Sequence, residues 1–200
     1  MSVALLCPGQ GAQRVGMAKD LAESFPAARE AIEAVDDALG FALSKVMWEG
    51  PEDLLTRTDH AQPAILAHSA AVWAVVRERL APSVRAAAGH SLGEYSAYLM
   101  ADALDLADAA RLVRRRGELM RAAGDARPGT MAVALGLTAD RVATICAEAS
   151  TADEVVVEER RRQRARDRLR PLEVVANGIA CAGRLQGLAD SGGNHTEPAA

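Results

Sequence analysis

The sequence predicts an α/β fold with a parallel sheet. Two places point to it: a short apolar strand that runs into a glycine-rich loop at residues 3–13, and a second strand that turns sharply into a helix at Gly89-His90-Ser91-Leu92-Gly93. Helical patterns separate the strands, the alternation expected of parallel β-α-β units.

Residues 3–6 read as a buried strand, and Pro8-Gly9-Gln10-Gly11-Ala12-Gln13 as a tight polar loop at the carboxyl edge of the sheet, where sites collect. Residues 26–35 and 43–48 are helical, followed by a longer helix over 63–80 with Pro63 in its first turn and Ile65, Leu66, Val72, Val75 and Val76 as apolar positions. The apolar run 84–88 is the second strand, and a helix over 92–100 follows. Asp105 is placed to N-cap a helix that runs to Ala123 and stops at Gly124. After Pro128-Gly129, residues 131–137 form a strand, Thr138 caps a helix to Ala149, and 155–157 open another strand; this segment begins a smaller lobe. The organisation is thus a partial large lobe over 1–126, the start of a small lobe over 127–157, and a tail over 158–200. Within that tail, 158–170 is a charge run with seven arginines between Arg160 and Arg170 and no apolar stripe, and 171–200 mixes short apolar patches with Gly, Asn and Pro; the stretch reads as a solvated helix or a disordered tail.

With 200 residues, 50% of them hydrophobic, the chain can bury one sizeable core with a small second lobe. A net charge of −4 gives no reason to expect a nucleic-acid surface over the whole molecule. Cys7, Cys146 and Cys181 are far apart and lack metal-ligand spacing, so neither a disulfide framework nor a metal site is expected, and the cytoplasm is the expected compartment. Residues 1–7 carry no basic leader and no run reaches membrane-span length, so no membrane partner is expected.

The turn around Ser91 has the pattern of a nucleophile elbow. A strand turning into a helix lifts the hydroxyl out of the sheet and aims the first helical N–H groups at whatever it attacks; flanking glycines make room for the crossing. Downstream, Ala109, Val113, Arg116 and Met120 share one helical stripe, so Arg116 falls on an apolar face while Arg115 and Glu118 point elsewhere. A cation there is either part of an internal ion pair or a fork held for a substrate carboxylate. Gly117 beside it admits a ligand or another backbone. Gln10 is either a loop-bracing amide or part of an oxyanion hole facing Ser91. His60 and His68 read as ordinary surface or packing residues.

Gly9-Gln10-Gly11-Ala12-Gln13, Gln62-Pro63-Ala64, Gly89-His90-Ser91-Leu92-Gly93-Glu94-Tyr95-Ser96-Ala97, Arg116-Gly117 and Gly129-Thr130-Met131-Ala132 occur in an order and spacing that resembles the malonyl-CoA:acyl carrier protein transacylases, and the related acyltransferase domains of polyketide synthases. The resemblance covers about the first 157 residues. It implies a hydrolase-like large lobe with a ferredoxin-like small lobe, and a ping-pong transfer of a malonyl group from coenzyme A to the phosphopantetheine thiol of acyl carrier protein. Ser91 would be the nucleophile, the backbone N–H groups of Gln10 and Leu92 the oxyanion hole, and Arg116 the grip on the free carboxylate. His90 would neighbour the nucleophile, while Gln62 and Met131 line the pocket. An acetyl group would leave the buried guanidinium unpaired, a penalty of roughly 3–5 kcal/mol by analogy with broken buried ion pairs. Malonyl-CoA is then a substrate, no cofactor or metal is implied, and a monomer is expected. Leu92 resembles the malonyl-selective rather than the methylmalonyl-selective type.

The chain departs from that pattern after Val157. The arginine run stands where the family has Asn-x-Asn-x-Pro-Gly-Gln, and the family's basic histidine, in a context like Phe-His-Ser-Pro, has only His195 as a counterpart, in Gly193-Asn194-His195-Thr196-Glu197-Pro198. A truncated or frame-shifted member of the family is therefore the expectation, one that exposes apolar surface and lacks stability. The alternatives are an inactive fragment that binds acyl-CoA or carrier protein, and an α/β-hydrolase-type esterase.

Overall fold

The computed structural model describes residues 2–126, 138–149 and 179–180. Strand β1 (Val3–Cys7) is followed by a looped stretch and five helices, α1 (Lys19–Ser24), α2 (Pro26–Leu39), α3 (Leu43–Glu49), α4 (Glu52–Thr56) and α5 (Thr58–Leu80). Then come β2 (Val84–Gly89), α6 (Leu92–Met100), α7 (Leu106–Ala126), α8 (Ala139–Ala149) and the two-residue β3 (Ile179–Ala180). Strands β1 and β2 pair in parallel with Leu5 opposite Ala87 and Cys7 opposite Gly89, and β3 adds antiparallel to β2. The result is a helix-rich mixed α/β fold with a small sheet whose pair of long strands is parallel.

Helix α2 shows how the larger core forms. Ala28, Ile32 and Val35 recur at helical spacing and are fully buried; Pro26 sits at the first helical position, and Gly40 ends the helix with φ 73. Asp36 on its last turn accepts hydrogen bonds from both the backbone N–H and the hydroxyl of Ser44, so one helix caps the next. These residues pack with Leu43, Met47, Leu55, Ile65, Leu66, Leu92 and Val113 in one cluster around α5. A smaller cluster of Cys7, Ala87 and Ala97 joins the sheet to α6.

Three expectations change. Residues 3–6 are not a buried strand: only Cys7 of β1 is buried and Leu6 is 83% exposed, because α6 packs on one face of the strand pair, whereas parallel strands need cover on both. Helix α7 does not stop at Gly124 but continues to Ala126. Most informative is α5, which begins at Thr58 and so carries Pro63 inside it rather than in its first turn. Proline lacks the N–H that would bond the carbonyl of Asp59 one turn back. Arg114 on α7 supplies the missing donor, its Nη1 lying 2.6 Å from the Asp59 oxygen. Among smaller differences, α1 and α4 lack a sequence forecast, and Val72 is 37% exposed.

The two forecast N-caps are present. Asp105 accepts a hydrogen bond from the Asp108 N–H at 2.8 Å, and Thr138 from the Arg141 N–H at 3.3 Å, each opening its helix as expected. The forecast strands at 131–137 and 155–157 and the arginine run lie outside the described residues.

Arg114→Ala should therefore cost about 1.5–3 kcal/mol of stability, the range for a hydrogen bond to a charged group. The neighbouring exposed Arg115→Ala should stay within about 0.5 kcal/mol. Urea unfolding midpoints of the two variants provide the comparison.

Candidate active site

Ser91 occupies the turn between β2 and α6 with φ 55 and ψ −109, a conformation that L-residues with side chains rarely adopt. The crossing around it has no room for side chains. A Cβ on Gly89 would lie 2.0 Å from the Gly93 carbonyl, and one on Gly93 would lie 2.4 Å from the Cys7 carbonyl, so the start of α6 rests directly on the end of β1. A serine preceding a helix ordinarily spends its hydroxyl on capping. Ser91 makes no such bond; its Oγ instead accepts from Arg116 Nη2 at 2.8 Å.

Arg116 comes from α7, where Ala109, Val113 and Gly117 are buried and bring that face onto α5. Of the two readings left open for Gly117, the structure selects the close approach of another backbone: a Cβ there would meet the Thr58 carbonyl at 2.6 Å and the Asp59 Cα at 2.7 Å. Arg116 does not form an internal ion pair with a carboxylate among the described residues. Its Nη1 donates to Gln62 Oε1 at 2.6 Å, its Nη2 to Ser91, and its guanidinium lies 5.8 Å from the centre of the Tyr95 ring. Arg116 is half-buried and already hydrogen-bonded, so an empty site does not leave an unpaired buried charge. The penalty of roughly 3–5 kcal/mol for an acetyl group is accordingly too large.

The arginine also orients its partners. A guanidinium only donates, which obliges Gln62 to offer its oxygen and turns the amide nitrogen the other way. That nitrogen donates to Thr58 Oγ1 at 3.0 Å and to Met120 Sδ at 3.3 Å, and the Thr58 hydroxyl donates onward to Gln10 Oε1 at 2.9 Å. One hydrogen-bonded path thus runs from the loop after β1 through α5 and α7 to Ser91. The Gln10 side chain braces its loop. Leu92 has a fully buried side chain within the core, leaving its backbone N–H at the first helical position, where no intrahelical acceptor exists. His90 is exposed and stands against Gly9, with its Nδ1 3.6 Å from where a Gly9 Cβ would be. Met131 and His195 lie outside the described residues.

Thr58, Tyr95 and Asp59 were missed from sequence. Thr58 precedes Gln62 by one helical turn, a relation visible once α5 is begun at Thr58 rather than Pro63. Asp59 is buried beneath three arginines: Arg57 at 2.8 Å, Arg114 at 3.5 Å and Arg121 at 3.4 Å. Burial opposes its ionisation, but the hydrogen bonds from Arg57 and the surrounding positive charge outweigh it and hold the carboxyl well below the usual range. His60 Nδ1 is 3.4 Å from the same carboxylate without a hydrogen bond. Burial pushes this imidazole below its usual value despite Asp59, so at neutral pH the contact is not an ion pair. His60 is thus a buried neighbour of a charge cluster rather than a surface residue, and burial likewise lowers His68. Cys7, buried and pushed up to about 11, donates to Met100 Sδ at 3.5 Å.

The described residues contain no grouping of three or more His, Cys, Asp or Glu side chains fit for a metal ion. None of their helices is long and apolar enough to cross a membrane.

The molecule is thus a mixed α/β protein that holds a serine at a strand-to-helix turn beside a guanidinium. The acyl transferase domain family matches residues 4–163, and the chain belongs to that family. It is 41% identical over 153 residues to the malonyl CoA-acyl carrier protein transacylase of Staphylococcus aureus strain MRSA252, covering 76% of this chain and 49% of that one. The crystal structure of acyl-carrier-protein S-malonyltransferase from Bartonella henselae superposes with a TM-score of 0.68 at 43% identity, over 78% of this chain and 50% of the other. A malonyl-transacylase in complex with a type II polyketide synthase acyl-carrier protein gives 0.65 at 39% identity, over 74% and 48%. The chain spans about half the length of the curated relatives it matches.

Stability should fall with acidity in two stages. The unfolded chain takes up a proton at each histidine near pH 6.5 and the folded chain resists, so the contributions of His60 and His68 are whole above that value and decline below it. That of Asp59 is whole above the ordinary carboxylate value of about 4 and is lost as pH falls toward its depressed one. Asp59→Asn should cost about 3 kcal/mol at pH 7, the low end for a broken buried pair because Arg57 and Arg121 reach solvent, and should flatten the acid limb. Denaturation midpoints at several pH values measure both effects.

Proposed function

We propose that the chain carries the serine half of a malonyl-transfer site, moving a malonyl group from coenzyme A to the phosphopantetheine thiol of acyl carrier protein through an ester on Ser91. The observation that carries this reading is the contact of Arg116 Nη2 with Ser91 Oγ. A guanidinium at that distance is where the free carboxylate of a short dicarboxylic acyl group would lie when its thioester carbonyl meets the serine. Ser91 Oγ bonds to the carbonyl carbon, the C–S bond breaks, and the serine proton leaves to a base while the coenzyme A sulfur becomes a thiol. The carrier thiol reverses these steps, and the serine regains its proton. Backbone N–H groups of Gln10 and Leu92 are the proposed oxyanion donors, Gln62, His90 and Met131 the proposed substrate neighbours, and His195 the candidate base.

Arg116 gives the acyl group's carboxylate a second role. With the site empty, it occupies a lone pair of the serine; a bound carboxylate draws the fork away and frees that oxygen to attack. The turn at Ser91 is read as a nucleophile elbow in a hydrolase-like large lobe over 1–126, with 127–157 opening a ferredoxin-like small lobe and 158–200 as a tail. The setting is fatty acid or polyketide synthesis in the cytoplasm, by a monomer that needs no metal or organic cofactor.

A second reading, binding of acyl-CoA or carrier protein without turnover, is favoured by the donor-only character of the group bonded to Ser91 among the described residues. Intact mass after incubation with malonyl-CoA separates the two. A malonyl adduct that Ser91→Ala abolishes supports transfer, and unchanged affinity with no adduct in either protein supports binding alone. Free malonate without carrier protein would mark an esterase. Arg116→Ala should reduce the preference for malonyl-CoA over acetyl-CoA roughly 10- to 100-fold, the loss of one charged hydrogen-bonded contact.

A further inference from the structure

We propose that Thr58 is a positioning residue that holds Arg116 and the Gln10 loop in register, so that carboxylate recognition and the oxyanion side of the site are set by one hydroxyl. Its consequences for the substrate rest on the malonyl-transfer reading. Its geometry stands independently.

Thr58 is the first residue of α5, and its Oγ1 lies between two amides, accepting from Gln62 Nε2 at 3.0 Å and donating to Gln10 Oε1 at 2.9 Å. Both directions follow from Arg116. Because Nη1 only donates, Gln62 must face it with oxygen; its nitrogen then needs an acceptor, and Thr58 provides one while keeping a proton for Gln10. Gln62 is fully buried, so an amide turned the wrong way would set N–H against guanidinium with no water to repair it. A second observation fixes the hydroxyl's own position: the Thr58 carbonyl touches α7 at Gly117, the residue after Arg116, where even a Cβ would not fit. Arg57 and Asp59 on either side are joined by two hydrogen bonds of 3.2 and 2.8 Å, which anchors the backbone around Thr58. Thr58 touches neither Ser91 nor any place assigned to the acyl group. It acts through Gln62 and Gln10.

The test uses the full chain and four proteins: wild type, Thr58→Val, Thr58→Ala and Thr58→Ser. Valine keeps the shape and removes the hydroxyl, alanine guards against a folding defect from the branched side chain, and serine restores the hydroxyl. Calorimetric affinities for malonyl-CoA and acetyl-CoA form the first readout. Valine and alanine should lose about tenfold of the malonyl preference, the worth of one hydrogen bond, and serine should recover it. The second readout is nuclear magnetic resonance of the Gln62 side-chain amide and the Arg116 guanidinium without ligand. Restricted, distinct Nη signals should be present in wild type and serine and should average in valine and alanine. Wild-type preference and distinct Nη signals that both persist in valine and alanine would overturn the proposal. If wild type shows no malonyl preference, the functional reading fails, and the guanidinium signals alone decide whether Thr58 holds Arg116.

Discussion

The contact of α7 with the first turn of α5 at Gly117 is the constraint on which the site depends. Thr58 and Asp59 lie against that glycine so closely that no other residue fits, and the approach carries consequences on both sides of α7. On one side Arg114 and Arg121 reach Asp59, joining Arg57 around one buried carboxylate. On the other side Arg116 reaches Gln62 and Ser91. Helical spacing explains the division: residues 114, 117 and 121 follow one ridge, while 113, 116 and 120 follow the next. A wider separation of the helices would break both sets together.

Arg116 resolves an electrostatic problem without a counter-ion. A guanidinium near apolar surroundings is costly unless its N–H groups are occupied. Here an amide oxygen, a hydroxyl oxygen and the face of Tyr95 occupy it, none of them charged. The cation therefore keeps its full charge, while its hydrogen bonds to neutral oxygens limit the cost of placing it there. An aspartate in place of Gln62 would have neutralised that charge in advance.

The turn at Ser91 obeys a different constraint, steric rather than electrostatic. Gly89, Gly93 and the end of β1 meet within distances that exclude any β-carbon, and the serine between them takes the strained backbone that this crossing forces. The same geometry removes the hydroxyl from its ordinary capping role and leaves it to Arg116. Strand, turn and helix thus deliver the oxygen, and α7 delivers the group it faces. The exposed Leu6 lies on the strand face opposite α6.

Much of this was legible in the sequence because the cause lay within a few residues of the effect. Glycines two positions either side of Ser91 announce a crossing that only glycine permits, Asp105 and Thr138 cap the helices that directly follow them, and the stripe through Ala109, Val113 and Arg116 turns the arginine inward by periodicity alone. What the sequence could not decide were the partners. Pro63 reads locally as a helix start, since a missing N–H is harmless there, and only the distant Arg114 donating to the Asp59 carbonyl lets α5 begin a turn earlier. With that turn come Thr58 and Asp59, invisible while the helix was begun at Pro63. Periodicity determines which face a side chain occupies, but which group stands opposite depends on how closely two helices approach, and that distance was set in three dimensions at Gly117.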